Sequence, residues 1–287
     1  MIIGLIAISA CTNNKEPTSK KVLIESQTLK YRYVDGKLDS KGTLYERIIF
    51  DKQGKDSIIE NYNDSGSLIL RTVLYFDSAG NKIKSVDYKS DGNVESTTEY
   101  KYSDKGKIIE SYRKHSGGGF NKAQFFYDSL GNRIKEIWTS EWYIDNQDER
   151  YTSEVILLRK YNDNGFCIGV KESADGKPFE DKKTVFNSLG QIIFEDWSDN
   201  FQKYKYDKNG NEIEHLYLDI NYKLVKRLVS VYDTNNVRIE YTTYDSLNKP
   251  IEVLKKEMIY KWIRIYCGNI LTVSKGKSIR RVFFDNK

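Results

Sequence analysis

The sequence predicts an all-β protein: an antiparallel meander of two-strand repeats of about 26 residues, curled into a curved sheet or partly closed shell. Three observations lead there. A turn motif returns along the chain, as YDSLGNRIKEI from Tyr127, FDSAGNKIKSV from Phe76, YKSDGNVESTT from Tyr88, YSDKGKIIES from Tyr102, FNSLGQIIFE from Phe186 and YDKNGNEIEH from Tyr206. The composition suits strands, with 22 Tyr and only 3 Pro in 287 residues, and the hydrophobic share of 39% is low for a thick buried core. Between turns the side chains alternate. Leu68, Leu70, Thr72, Leu74 and Phe76 share one face, and Val94, Ser96, Thr98, Tyr100 and Tyr102 another.

The N-terminal segment comes first. Residues 1–10 read MIIGLIAISA and precede Cys11, an apolar run ending in Ile8-Ser9-Ala10-Cys11. This resembles the lipobox of bacterial lipoproteins. The resemblance implies a signal peptide over 1–10, cleavage before Cys11, and a mature chain lipidated at Cys11. Elsewhere no apolar run reaches the ~20 residues of a spanning helix, so the expected partner is a membrane that the chain is anchored to and does not cross. Residues 11–21 carry almost no large apolar side chain and read as a flexible tether. A single acidic residue there, Glu16, favours the periplasmic face of the outer membrane over the cell surface.

Residues 22–256 form the repeat array. Gly54, Gly66, Gly80, Gly92 and Gly106 are separated by alternating steps of 12 and 14 residues, so the unit holds two turns. The series continues at Gly131, Gly165, Gly176, Gly190 and Gly210, then at Asn236 and Asn248. The missing turns fall on a loose GGGF from Gly117 and on DINYK from Asp219. Each step accommodates a strand of about eight residues and a four-residue turn. Gly closes the turn because it takes positive φ without a Cβ penalty, and the Asp or Asn before it caps the turn. After the GN turns apolar residues lie three apart, as Ile83 and Val86 or Ile134 and Ile137 do, which calls for a β-bulge. About 18 strands are too many for a flat sheet. The curled sheet is expected to line its concave side with Tyr, Phe, Ile and Leu, and to leave Tyr hydroxyls wet. The stretch Trp138 to Glu149 breaks the period and reads as a longer hairpin. Residues 257–287 read as a β cap of the same domain that hides the last sheet edge.

The unit aromatic-Asp-x-x-Gly-Asn followed by a strand, best seen in YDSLGN at Tyr127 and YDKNGN at Tyr206, resembles the YD repeat of RHS-type proteins over roughly Phe50 to Ile251. In that family the repeats wind into a β-shell around a toxin domain. The resemblance implies the sheet-building unit here; the chain is too short for that shell and carries no toxin segment.

Chemical motifs are sparse in this sequence. Lys and Arg number 46 against 41 Asp and Glu, alternating in sign along strands, so no basic stripe offers itself to nucleic acid. His115 and His215 are the only histidines and lie in opposite halves of the array, so no metal site is expected. No GxSxG, HExxH, P-loop or GxGxxG occurs, and no cofactor is expected. Cys167 and Cys267 are open to pairing in an oxidising compartment or to burial as separate thiols. Trp138, Trp142, Tyr143, Trp197 and Tyr217 gather where the repeat is least regular, as a stacking surface for a glycan or protein or as filling of the concave face. The expected function is therefore non-enzymatic: a lipid-anchored envelope protein presenting a β-sheet to an envelope protein or glycan. Two alternatives stand beside it, an immunity or accessory protein of an RHS-type toxin system and a cell-wall hydrolase whose acid pair the sequence does not single out.

Overall fold

The computed structural model describes residues 18–143, 150–178, 180–181, 184–196, 200–266 and 269–278. Every regular element is a strand: β1 (Thr18–Val34), β2 (Lys37–Leu38), β3 (Thr43–Phe50), β4 (Asp56–Tyr62), β5 (Leu68–Phe76), β6 (Lys82–Lys89), β7 (Val94–Tyr102), β8 (Ile108–His115), β9 (Phe120–Tyr127), β10 (Arg133–Tyr143), β11 (Arg150–Tyr161), β12 (Cys167–Ala174), β13 (Glu180–Asp181), β14 (Thr184–Phe186), β15 (Ile192–Asp196), β16 (Asn200–Tyr206), β17 (Glu212–Asp219), β18 (Leu224–Tyr232), β19 (Arg238–Tyr244), β20 (Pro250–Tyr266) and β21 (Asn269–Ser278). The expected meander is present, and from β3 to β20 almost every strand pairs antiparallel with its neighbours in sequence.

The repeat motif has a complete physical account. In the turn after β9, the Asp128 Oδ1 accepts the backbone N–H of Asn132 at 2.8 Å, and Oδ2 accepts the Asn132 side-chain amide at 2.9 Å. Gly131 between them has φ of 85°. Asp77 with Asn81 and Asp207 with Asn211 repeat the arrangement. Where the motif carries Asn236 or Asn248 in place of Gly, those residues take φ of 59°, and Tyr222 takes 62° in the DINY turn. The aromatic position is explained too. Tyr102, Tyr127, Tyr161, Tyr206 and Tyr232 each donate the hydroxyl hydrogen bond to a backbone carbonyl, of Lys82, Ile108, Arg133, Ile192 and Glu212 respectively, two residues past the turn residue of an adjacent hairpin. These repeat tyrosines are therefore staples between hairpins, and the expectation of wet hydroxyls is corrected for them. Tyr127→Phe is expected to lower stability by about 1 kcal/mol in a denaturant titration, because it leaves a partly buried carbonyl unpaired.

The expected bulges occur, one after nearly every turn. Tyr75 pairs with Lys84 and Phe76 with Lys82, which leaves Ile83 without a partner. Ile109, Ile134, Ile168 and Ile193 are skipped in the same way. An extra residue at each strand start adds twist and bends the strand, and repetition of that bend closes the sheet.

The two ends of the meander meet. β1 pairs with β3 over Glu25–Lys30 and with β20 over Thr18–Arg32, so the first strand joins the two ends of the meander and the sheet becomes a nearly closed barrel. On the far side β13 pairs with β12, and β14 with β15. Two boundaries change as a result. Thr18–Lys21 were expected in the tether, yet their backbone is paired with β20. The edge that 257–287 was expected to hide is covered by β1 instead; β20 runs through position 257 and β21 lies along its outer half. The physical reason is common to both. The long strand β20 would leave a row of unpaired amides along one side, and β1 satisfies them.

The barrel has two wet faces. Among the described residues the largest fully buried side chains are Thr243, Ser26 and Ser96, not large hydrophobic ones. One face is the more enclosed. Its rows include Ser26, Ile48, Ile59, Thr72, Asp87 and Ser96 across β1 and β3–β7, and Tyr204, His215, Leu228 and Thr243 across β16–β19. The expected apolar lining is thus interleaved with Ser, Thr, Asp and His. The opposite face carries ionic ladders, Glu25–Arg47–Glu60 and Lys101–Glu110–Lys122.

Two tests of the turns follow. Gly131→Val should destabilise by about 1–3 kcal/mol, since φ is positive there. Gly117→Val should cost much less, because Gly117 lies outside the positive-φ set and a Cβ there meets open space. The GGG turn is nevertheless not loose throughout: a Cβ on Gly119 would lie 2.3 Å from the Glu141 carbonyl oxygen. Equal melting shifts at 131 and 117 would overturn the register. The turn carboxylates also set a pH response. Hydrogen bonds from Asn81, Asn132 and Asn211 hold Asp77, Asp128 and Asp207 below the usual carboxylate range. A carboxyl depressed in the folded state adds stability above its unfolded pKa and loses it as pH falls through the folded value. Melting temperature should therefore drop on acidification below about pH 4, and a triple Asp→Asn variant should flatten that drop, since Asn63, Asn162 and Asn187 already cap turns in this chain.

Candidate functional site

Two side-chain groups stand out on the more enclosed face. The first is built on β10 and β11, the longest hairpin of the array, with Trp142 opposite Tyr151 and Tyr143 opposite Arg150. Strand alternation places Trp138, Ser140 and Trp142 on one face of β10. Trp138 and Trp142 are 43% and 45% exposed. Trp138 rests edge-on against Phe125 at 5.9 Å, and its Nε1–H donates to Glu136 Oε2 at 3.1 Å. Glu136 is buried and also accepts from Arg159, whose Nε and Nη2 lie 2.9 and 2.8 Å from Oε1. Between the two tryptophans a polar row crosses the sheet. His115 Nε2 is 2.5 Å from Asn121 Oδ1, Asn121 Nδ2 donates to Ser140 Oγ at 2.8 Å, and Ser153 pairs with Ser140 from β11. Tyr143 turns to the other face, under the Arg150 guanidinium at 5.4 Å.

The second group lies on β15–β17. The His215 ring is held between Tyr204 and Tyr217, with centroids 4.2 Å away on either side. Its Nε2 sits 2.8 Å from Gln202 Oε1, and Tyr204 donates its hydroxyl proton to Glu195 Oε2 at 2.7 Å. Burial pushes the His215 pKa down and those of Tyr204, Tyr217 and Glu212 up. Burial also pushes Tyr241 up to about 12. The group is a self-satisfied hydrogen-bonded stack, which stiffens the sheet.

Of the residues read from the sequence, Trp138, Trp142 and Tyr143 share one strand, but Tyr143 faces away from the other two. Tyr217 belongs to the His215 stack. Trp197, Cys11 and Cys267 lie outside the described residues. Cys167 is a free, half-buried thiol. Among the described residues no three of His, Cys, Asp and Glu converge on a metal-sized site, and no helix is long and apolar enough to cross a membrane. Sequence reading missed Tyr151, the Glu136–Arg159 pair and the His115–Asn121–Ser140 row. The alternation of Trp138, Ser140 and Trp142 was visible; the cross-strand register that adds the rest was not.

Comparison with known proteins leaves the fold without a family. No family model matches the chain. It is similar to the hexahomomethionine N-hydroxylase of Arabidopsis thaliana, 26% identical over 168 residues that cover 56% of this chain and 27% of that protein. The chain thus spans about a quarter of that relative's length. Among solved structures it is similar to the TcdB2–TccC3 complex with Cdc42, with a TM-score of 0.26, 13% identity and coverage of 88% of this chain and 18% of that one. A porin-like protein from Bacteroides uniformis gives a TM-score of 0.42 at 9% identity, over 82% of this chain and 97% of that one. Both scores are too low to carry function across.

Proposed function

We propose that the chain is a non-catalytic envelope protein, lipid-anchored through Cys11, whose nearly closed β-shell displays a binding surface to an envelope glycan or protein. The observation that carries this reading is polarity along the barrel axis. Following the antiparallel order, β1 begins at the end that bears the turns of Gly54, Gly80, Gly106 and Gly131, and Cys11 lies seven residues before it. Trp142 and Tyr151 lie at the other end, where β10 finishes. An anchor at the first end leaves the aromatic hairpin pointing away from the lipid. The shell itself stays in water, because ionised groups occupy both of its faces: Arg47 and Glu60 on one, Asp87 with Arg113 and Glu136 with Arg159 on the other. A lipid-facing barrel needs an uninterrupted apolar band outside.

Cells fed a palmitate analogue should label the wild type and not Cys11→Ser, and the label should follow the envelope fraction. The soluble form beginning at Thr12 should be retained by an isolated envelope fraction, and Trp142→Ala should weaken that retention. Equal labelling of both forms overturns the anchor. Equal retention of both overturns the hairpin as the binding surface.

A further inference from the structure

We propose that the enclosed face of the β9–β11 hairpins is a binding site for a neutral oligosaccharide, with Trp138, Trp142 and Tyr151 as stacking platforms and the His115–Asn121–Ser140 row as its hydrogen-bonding element. This deepens the reading above by choosing a glycan over a protein. The choice rests on three features. The first is spacing. Trp138 and Trp142 are four residues apart on one strand face, roughly 13 Å at about 3.3 Å per residue, which is the length of two to three pyranose rings laid end to end. A sugar ring offers an apolar face of C–H groups at each step, and an indole face offers the flat surface that matches it.

The second feature is what fills the gap. Ser140 lies midway between the two tryptophans and accepts a hydrogen bond from Asn121 at 2.8 Å, so its own O–H remains to donate. Asn121 keeps a second amide N–H, and Asn121 and His115 are joined at 2.5 Å. Ser153 extends the row across β11. Hydroxyl, amide and imidazole groups in a line, flanked by rings, suit a ligand whose edges are hydroxyls and whose faces are apolar.

The third feature is charge. The ionised groups nearest the site on this face are engaged within the sheet: Glu136 holds Arg159 and, at 3.7 Å, Arg133, whose guanidinium also lies over the Phe125 ring at 4.3 Å, and Arg113 holds Asp87 at 2.7 Å. Each of these cations is already committed to a carboxylate or a ring, and Asn121 and Ser140 between the tryptophans carry no charge, so no free cation there selects a phosphate, a uronate or an acidic peptide. A neutral sugar chain is the ligand that loses nothing by this.

The test uses the soluble form beginning at Thr12 and a panel of neutral hexasaccharides, glucose- and N-acetylglucosamine-based, each in α- and β-linked form. Binding is read by indole fluorescence and by calorimetry. At least one member should bind in the micromolar to low millimolar range. Trp142→Ala should weaken it at least tenfold, Trp142→Phe should retain most of the affinity, and Ser140→Ala should weaken it severalfold. Trp142 and Ser140 are chosen because neither is buried, so both variants are expected to fold, and an unchanged melting curve checks this. No binding by any member up to 5 mM, or binding that Trp142→Ala leaves intact, overturns the proposal. If the sugars fail and a photocrosslinker at position 142 captures an envelope protein, the glycan is wrong while the wider reading of a binding surface stands.

Discussion

Replacing Glu136 with Ala is expected to lower stability by about 3 kcal/mol, the low end for breaking a buried ion pair, because the partner guanidinium keeps some contact with water. The Glu136 side chain is 3% exposed and that of Arg159 is 29% exposed. Removing the carboxylate strands the Arg159 charge, deprives Trp138 Nε1 of its acceptor and opens space beside Phe125. Glu136→Gln keeps the volume and one carbonyl oxygen, so its loss should be clearly smaller. Urea titrations on both variants decide the point. If Ala and Gln shift the midpoint equally and by less than about 1 kcal/mol, the pair behaves as a surface salt bridge, and Trp138 is held by packing alone. The same two variants separate structure from binding, since loss of the Glu136 hydrogen bond frees the Trp138 indole to change its tilt.

The turns were legible in the sequence because their chemistry is local. Asp128, Gly131 and Asn132 meet within one tetrapeptide and its neighbour, and each residue type is chosen by φ or by a hydrogen bond that a reader can infer. The bulges were legible for a similar reason: Ile134 and Ile137 break the two-residue period in a way that only an extra residue repairs. What escaped is set by register between strands far apart in the chain. Nothing in Tyr127 announces that its hydroxyl reaches Ile108, although the recurrence of Tyr at that place was in view. Nothing local ties Ser26 to Met258, a pairing more than two hundred residues apart that closes the sheet. The aromatic surface was half legible. Alternation puts Trp138 with Trp142 and against Tyr143, whereas Tyr217 looked eligible by composition and proved to stack on His215.

Deleting residues 12–34, and with them all of β1, is expected to open the barrel and abolish its cooperative unfolding. The seam made by β1 is among the tightest parts of the sheet. Ser26 is 1% exposed between Ile48 and Met258, and Val253 opposite Tyr31 is 2% exposed. The Lys30 ammonium bridges Glu252 at 2.9 Å and Asp64 at 3.0 Å, joining β1 to β20 and to the turn after β4. Without β1, the strands β3 and β20 both present unpaired amides along their length, and a long bare strand edge pairs with other chains. Size-exclusion chromatography should show aggregation, and the melting transition should broaden. Removing residues 12–17 should leave both unchanged. Removing 267–287 should have a modest effect, because β20 keeps β1 and β19 as partners over Glu252–Lys255 and β1 beyond. A peptide of residues 18–34 added during refolding should restore the monomer to the β1-deleted chain, since it carries the full set of seam contacts. If the deletion remains monomeric with a sharp transition, the sheet is an open array and the seam is incidental. If the tail deletion aggregates and the β1 deletion does not, the edge that needs cover is the outer edge of β20, and β21 is its guard.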